Sequence, residues 1–172
     1  FQLHNHDMVF LNSTGILEKE IKHADHIDVK IYEADKDLQQ FIADLLSYNP
    51  WWISLLYRIR KVFVKFLGMT QEEVPAFTRF QAEDISFVPG ELVTFFRVEK
   101  AQKDQFWFAA AEDKHLKGLI GFVLEKTDTG TNRFHIITIV FYKDWSGPVY
   151  FNVIRPFHHL VVHAMAMHGI KR

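Results

Sequence analysis

The chain's hydrophobic periods, read in order, predict an α+β fold, with an antiparallel sheet, helices segregated from it, and a long closing helix. Three observations carry this. From Leu92 the apolar residues switch to a period of two, with turn signals at intervals. Upstream, one alternating segment is followed by two segments of helical period. Downstream, Ser146 to His168 is a long stretch with apolar residues at helical spacing. The simplest packing curls the sheet around the last helix. Curvature and the two short helices then leave a hollow.

Residues 1–12 read as an N-terminal arm or tag remnant, with His4 and His6 a chance chelating pair. The chain opens at Phe1 rather than Met, which makes Met8 a candidate native start. Residues 13–172 are expected to form one domain. Ser13 and Thr14 are placed to cap a short helix running through Ile21. Ile27, Val29 and Ile31 alternate with Asp28, Lys30 and Tyr32, as in a half-buried strand.

Asp35 is expected to cap a helix over 36–47, with Leu38, Phe41, Ile42 and Leu45 facing the core. Asn49-Pro50 ends it and opens another over 51–67, closed by Gly68. That helix sets Trp51, Trp52, Leu55, Leu56, Ile59, Val62, Phe63 and Phe66 against Arg58, Arg60, Lys61 and Lys65. Two readings are open. Either packing claims the apolar face and the cations snorkel outside, or the helix makes peripheral contact with a membrane surface.

Residues 69–91 carry turn signals at Gln71 to Pro75 and at Pro89-Gly90, with no clear element between. Strands are expected at 92–100, 105–111, 115–126 and 133–142. Hairpin signals separate them at Ala101 to Asp104, Glu112 to Lys114 and Asp128 to Thr131. The last strand is apolar on both faces, as a doubly buried or interfacial strand would be. In the closing helix, Ser146 is a cap, Pro148 fits the first turn, and Gly169 is a stop signal. Tyr150, Val153, Phe157, Leu160, Val161 and Ala164 make its apolar face. Pro156 predicts a kink or two abutting helices.

Composition narrows function. The 17 Phe suit a thick core or a cavity lined by rings. A net charge of −1 gives no field for nucleic acid, and no basic stripe argues for base stacking. Zero Cys removes disulfides, thiol nucleophiles and thiolate metal sites, and is compatible with a cytoplasmic home. No apolar run reaches the ~20 residues of a membrane span, and no signal-peptide pattern occurs. No Gly-rich phosphate loop and no Gly-x-Ser-x-Gly elbow is present. No cofactor is implied.

Three segments carry a resemblance. They are Pro50-Trp51-Trp52 through Leu55, Leu56 and Arg60 to Phe66-Leu67-Gly68; Glu112-Asp113-Lys114-His115-Leu116; and Gly147-Pro148-Val149-Tyr150-Phe151 with Ile154-Arg155-Pro156-Phe157-His158. On these the chain resembles an uncharacterised bacterial domain-of-unknown-function (DUF) family, grouped with the Bet v 1/START-like (SRPBCC) helix-grip superfamily. The likeness spans about residues 13–168 and leaves out the arm. It implies a helix-grip fold in which a curved antiparallel sheet holds the C-terminal helix, with two shorter helices. It also implies a cavity for lipids, sterols, polyketides or other apolar molecules. Some members of that superfamily catalyse cyclisation or hydrolysis there, and many only carry ligands.

The residues name candidates for such a site. Arg155 is a carboxylate or phosphate clamp, or an internal ion-pair partner. Tyr150 and His158 are polar groups that orient a ligand or act as acid and base. Phe157, Phe96, Phe108 and Phe122 are candidate walls, and a one-residue shift of a strand would turn its residues to the opposite face. His159 and His163 share a helix face at a spacing able to chelate a metal, without the Glu or third ligand of known motifs. Asp113 is expected to make turn bonds rather than a dyad with His115.

The leading reading is a non-enzymatic module that binds an apolar or amphipathic small molecule. A cyclase- or hydrolase-like enzyme using the same cavity is the second. The third is a ligand-free protein that dimerises through an apolar sheet face.

Overall fold

The computed structural model describes residues 14–66, 79–128 and 130–171. The expected N-terminal arm, the Ser13 cap, the Gly68 stop and the turn at 71–75 lie outside these residues. In chain order the elements are α1 (Glu18–His23), β1 (His26–Ala34), α2 (Leu38–Leu46), α3 (Trp51–Phe66), a 3-10 turn (Ala82–Asp84), β2 (Leu92–Val93), β3 (Phe96–Gln102), β4 (Phe106–Glu112), β5 (Leu116–Lys126), β6 (Asn132–Tyr142) and α4 (Ser146–Lys171). The strands form one antiparallel sheet in the order β1-β6-β5-β4-β3-β2. This is the expected α+β, helix-grip arrangement, with a long C-terminal helix laid along a six-stranded sheet.

One face of the sheet is sealed by α1. Leu17, Phe108, Leu119, Ile137 and Ile139 are buried there, with Ile21, Ile27 and Val29 packed against them. The other face meets α2 and α4. Leu38, Phe41, Ile42 and Leu45 of α2 pack on Trp107, Phe122, Phe134 and Ile136 of the sheet and on Val162 and Ala166 of α4. The buried Trp107 indole is satisfied by donating to the Ser86 carbonyl at 2.8 Å. β6 is doubly apolar because β1 and β5 flank it and both its faces are covered within the chain.

Several local expectations are corrected. The cap of α2 is Asp37, not Asp35: its Oδ1 accepts the Gln40 amide at 2.7 Å. α1 starts at Glu18, so its cap position falls on Leu17 rather than on Thr14. The strand expected over 92–100 is two strands, parted where Thr94 takes φ 58°. Asp144, rather than Ser146, caps α4: its Oδ1 accepts the Ser146 amide at 2.9 Å and the Ser146 hydroxyl at 2.6 Å. α4 runs as one helix through Pro156, so there are no two abutting helices.

Gly169 does not stop α4, which continues to Lys171. It is buried where α4 crosses α2, and a Cβ there would stand 3.4 Å from Phe41 Cε2. Its carbonyl accepts from Lys36 Nζ at 2.6 Å, and Lys36 also pairs with the buried Asp44 at 2.7 Å. One lysine thus satisfies a last-turn carbonyl and ties α4 to α2. Gly147 is needed at the other end of the helix, because a Cβ there would lie 2.8 Å from the His115 carbonyl oxygen.

The expected apolar face of α4 is also corrected. Val153, Phe157 and Leu160 are about half exposed, and Tyr150, Phe151, Val162 and Ala166 are the buried apolar and aromatic side chains. The reason lies in β1. Its apolar residues point to α1, so its polar row, His26, Asp28, Lys30 and Tyr32, faces α4. The helix turns its histidines to that row. His159 Nδ1 lies 3.2 Å from Lys30 Nζ and 3.3 Å from Asp28 Oδ2, and His163 Nδ1 lies 2.9 Å from the Tyr32 hydroxyl.

Candidate functional site

The inward face of the sheet is filled at one end and hollow at the other. Along β6, Phe134 and Ile136 pack under α2, while Thr138 and Val140, next on the same face, line a cavity. β4 does the same, with Trp107 and Ala109 in the core and Ala111 in the cavity wall. In β5, Phe122 is core and Gly118 and Ile120 are wall. The cause is the length of α2: its nine residues cover only part of the sheet. α3 bridges the remainder through Ile53, Leu56, Tyr57 and Arg60, and α4 through Tyr150, Phe151, Ile154, His158 and Val161.

The hollow is open at one side and holds about 520 Å³, within the ~300–1,000 Å³ range of small-molecule sites. Ile59, Phe95, Val153 and Phe157 line it and also reach solvent, so they rim its mouth.

Two polar pairs and the Tyr57 phenol interrupt the apolar wall. Arg60 Nε donates to the Tyr150 hydroxyl, and its guanidinium carbon stands 5.7 Å from the centre of the Tyr150 ring. His158 Nε2 lies 3.3 Å from Thr138 Oγ1. Burial pushes the Tyr150 and Tyr57 phenols up, so both stay neutral. Burial also lowers His158 to about 4, with His159 adding to it, so the ring is uncharged at neutral pH.

The structure brings Tyr150, His158, Phe157 and Phe96 to this cavity. Arg155, Phe108 and Phe122 are not in its lining. Phe108 lies on the α1 side of the sheet, and Phe122 is covered by Phe41 and Trp107. The charge of Arg155 acts on His26 and Tyr142, near the paired ends of β1 and β6. His159 and His163 belong to the seam with β1. Sequence reasoning missed Arg60 and Thr138. It sets Arg60 outside with the other cations of α3, yet Arg60 falls seven residues after the buried Ile53 and so shares its face.

A Ser-His-Asp cluster occurs at the start of α4. His115 Nδ1 lies 2.6 Å from Asp144 Oδ2 and 2.9 Å from Ser146 Oγ. Both oxygens meet the same ring nitrogen, so the ring cannot relay a proton between them as a nucleophilic triad requires. The group is a clamp that fixes the first turn of α4 to the β4–β5 hairpin. The Ser146 hydroxyl and then His115 hold the Asp144 carboxyl down at about 2, against some desolvation. Asp113 makes the expected turn, accepting the His115 and Leu116 amides at 2.7 and 2.9 Å.

Among the described residues no helix is long and apolar enough to cross a membrane. Among solved structures the chain is similar to that of Ara h 8.0201, with a TM-score of 0.42 and 8% identity over 86% of this chain and 99% of that one. No curated protein matches. A family model does match: residues 19–165, from α1 into the last turns of α4 and so across every element that walls the cavity, place the chain in the family described as "Protein of unknown function (DUF2867)".

Proposed function

We propose that the protein binds an apolar or amphipathic small molecule in the cavity between sheet, α3 and α4. The observation that carries this is a hollow of about 520 Å³ whose wall is apolar apart from two polar pairs and the Tyr57 phenol. Binding is favoured over catalysis because those pairs are separate and each is internally bonded, rather than converging on one reacting atom. The test is titration with Nile red, a neutral apolar fluorophore. Saturable 1:1 binding is expected, weakened at least roughly tenfold by Ala111→Trp, which puts an indole into the cavity. No saturable binding, or an unchanged affinity in that variant, overturns the proposal.

The same reading gives α3 a role. Packing claims only part of its apolar surface: Ile53 is buried, while Trp51, Leu55, Ile59 and Val62 are 77%, 45%, 55% and 71% exposed. Arg58, Lys61 and Lys65 are exposed beside them, and α3 contains no acidic residue. Such a surface matches an anionic bilayer interface, where indoles and aliphatics enter the headgroup layer and cations meet the phosphates. Contact there would set the cavity mouth beside a source of apolar ligand. Sedimentation with phosphatidylcholine vesicles, with and without phosphatidylglycerol, is expected to show salt-sensitive binding only to the anionic ones, lost in Trp51→Glu. Absence of binding, or a dimer that the same substitution dissolves, would defeat it.

A further inference from the structure

Arg60 is the one described cation of α3 turned to the cavity. Arg58, Lys61 and Lys65 are exposed, whereas Arg60 is half-buried and lines the wall. None of the ion pairs among the described residues includes it. Its bonded neighbour, the Tyr150 hydroxyl, belongs to a phenol only 1% exposed. Burial keeps that phenol neutral, so it orients the guanidinium without neutralising it. The charge of Asp113 also acts on Tyr150, but Asp113 turns a carboxylate oxygen onto two backbone amides. An arginine set in an apolar wall with no carboxylate partner among the described residues is costly, and an anion brought by a ligand would offset that cost.

We propose, resting on the cavity reading above, that Arg60 and Tyr150 form a head-group site and that the ligand is a monoanionic amphiphile, a long-chain carboxylate in chemical class. With Nε committed to Tyr150, the two terminal nitrogens of Arg60 retain the N–H donors that pair side by side with a carboxylate. Charge counting sets the monoanion. Arg60 is the one permanent cation among the described residues of the lining, and His158, the other basic group there, is neutral at pH 7. A phosphate monoester would bring about two negative charges to one guanidinium. Beyond the head site, Leu56, Ile120, Val140, Ile154 and Val161 offer no hydrogen-bonding side chain, which suits an alkyl tail.

The experiment compares decanoate with 1-decanol by isothermal titration calorimetry at pH 7, in the wild type, Arg60→Gln and Arg60→Lys. Decanoate is expected to bind the wild type at least roughly tenfold more tightly than decanol, the scale of one charge-assisted hydrogen bond. Arg60→Gln should erase that preference by weakening decanoate at least roughly tenfold more than decanol, and Arg60→Lys should retain part of it. Equal affinities in the wild type, or a preference that survives Arg60→Gln, would overturn the head site and leave the cavity standing. Failure of both probes to bind would overturn the cavity reading with it. The wild-type comparison decides even if a variant does not fold.

Discussion

Phe41→Ala is expected to destabilise the protein by about 3–5 kcal/mol, a large share of the ~5–15 kcal/mol that holds a domain of ordinary stability together. Phe41 has no solvent exposure. Its ring stacks on Phe134 of β6, with centroids 4.0 Å apart and planes 11° from parallel, and meets Phe122 of β5 edge-on at 6.3 Å. On its far side Gly169 of α4 comes close enough that a methyl group would touch it. One side chain therefore fills the junction of α2, the sheet and the end of α4. Truncation removes the transfer free energy of the ring and leaves a void that three elements would have to move together to close.

Urea unfolding checks this: the midpoint should fall sharply with little change in slope. A loss under about 1 kcal/mol would mean that α2 is not the element filling this end of the sheet. Because the Phe41 junction is separate from the hollow end, Nile red should still saturate the variant in the absence of urea.

How much of this was legible follows from what each residue pattern encodes. Strand positions were readable because a sheet with covered faces imposes a strict period of two, and β4, β5 and β6 lie within a residue or two of expectation. The choice of Asp37 over Asp35 was readable too, since only Asp37 has a glutamine three residues on, in the spacing of a capping box. The break at Thr94 had no signal: no glycine or proline marks it, and a β-branched residue at positive φ runs against propensity. The rotation of α4 was hidden for a different reason. Apolar periodicity says which face of a helix is oily, but β1 presents its polar row to α4, so histidines pack inward and Val153, Phe157 and Leu160 stay at the surface. Arg60 was misplaced by the same assumption that charge faces out. A cavity inverts that rule, because its wall tolerates a cation that a filled core would expel.

Stability is expected to fall as pH drops from about 6.5 to about 4, on the order of 3 kcal/mol, with His158 the main contributor. The unfolded chain takes up a proton on this histidine near 6.5, whereas the folded protein resists until about 4. Between those values the unfolded state binds more protons, so acid favours unfolding across that window, and the contribution of His158 is level outside it. The groups facing the ring set the balance. Burial dominates, and His159, Lys30 and His26 oppose the charge, while Asp28 favours it. His26, lowered chiefly by burial and then by Arg155, adds a change of the same sign. Asp144 does not confuse the window, because its stabilising charge is lost only as pH falls from 3.8 to about 2. Urea midpoints measured from pH 7 to about 4 should decline in the wild type and be markedly flatter in His158→Asn, with the remainder shared by His26 and, at the acid end, by Glu112, whose bond with Lys143 lowers it from 4.5. Parallel declines in the two proteins would show that His158 is not held neutral by the fold. The same proton should reach the ligand site: His158 lines the cavity, so charging it in the wild type puts an imidazolium into an apolar wall, and Nile red affinity should weaken as pH approaches about 4 but not in His158→Asn.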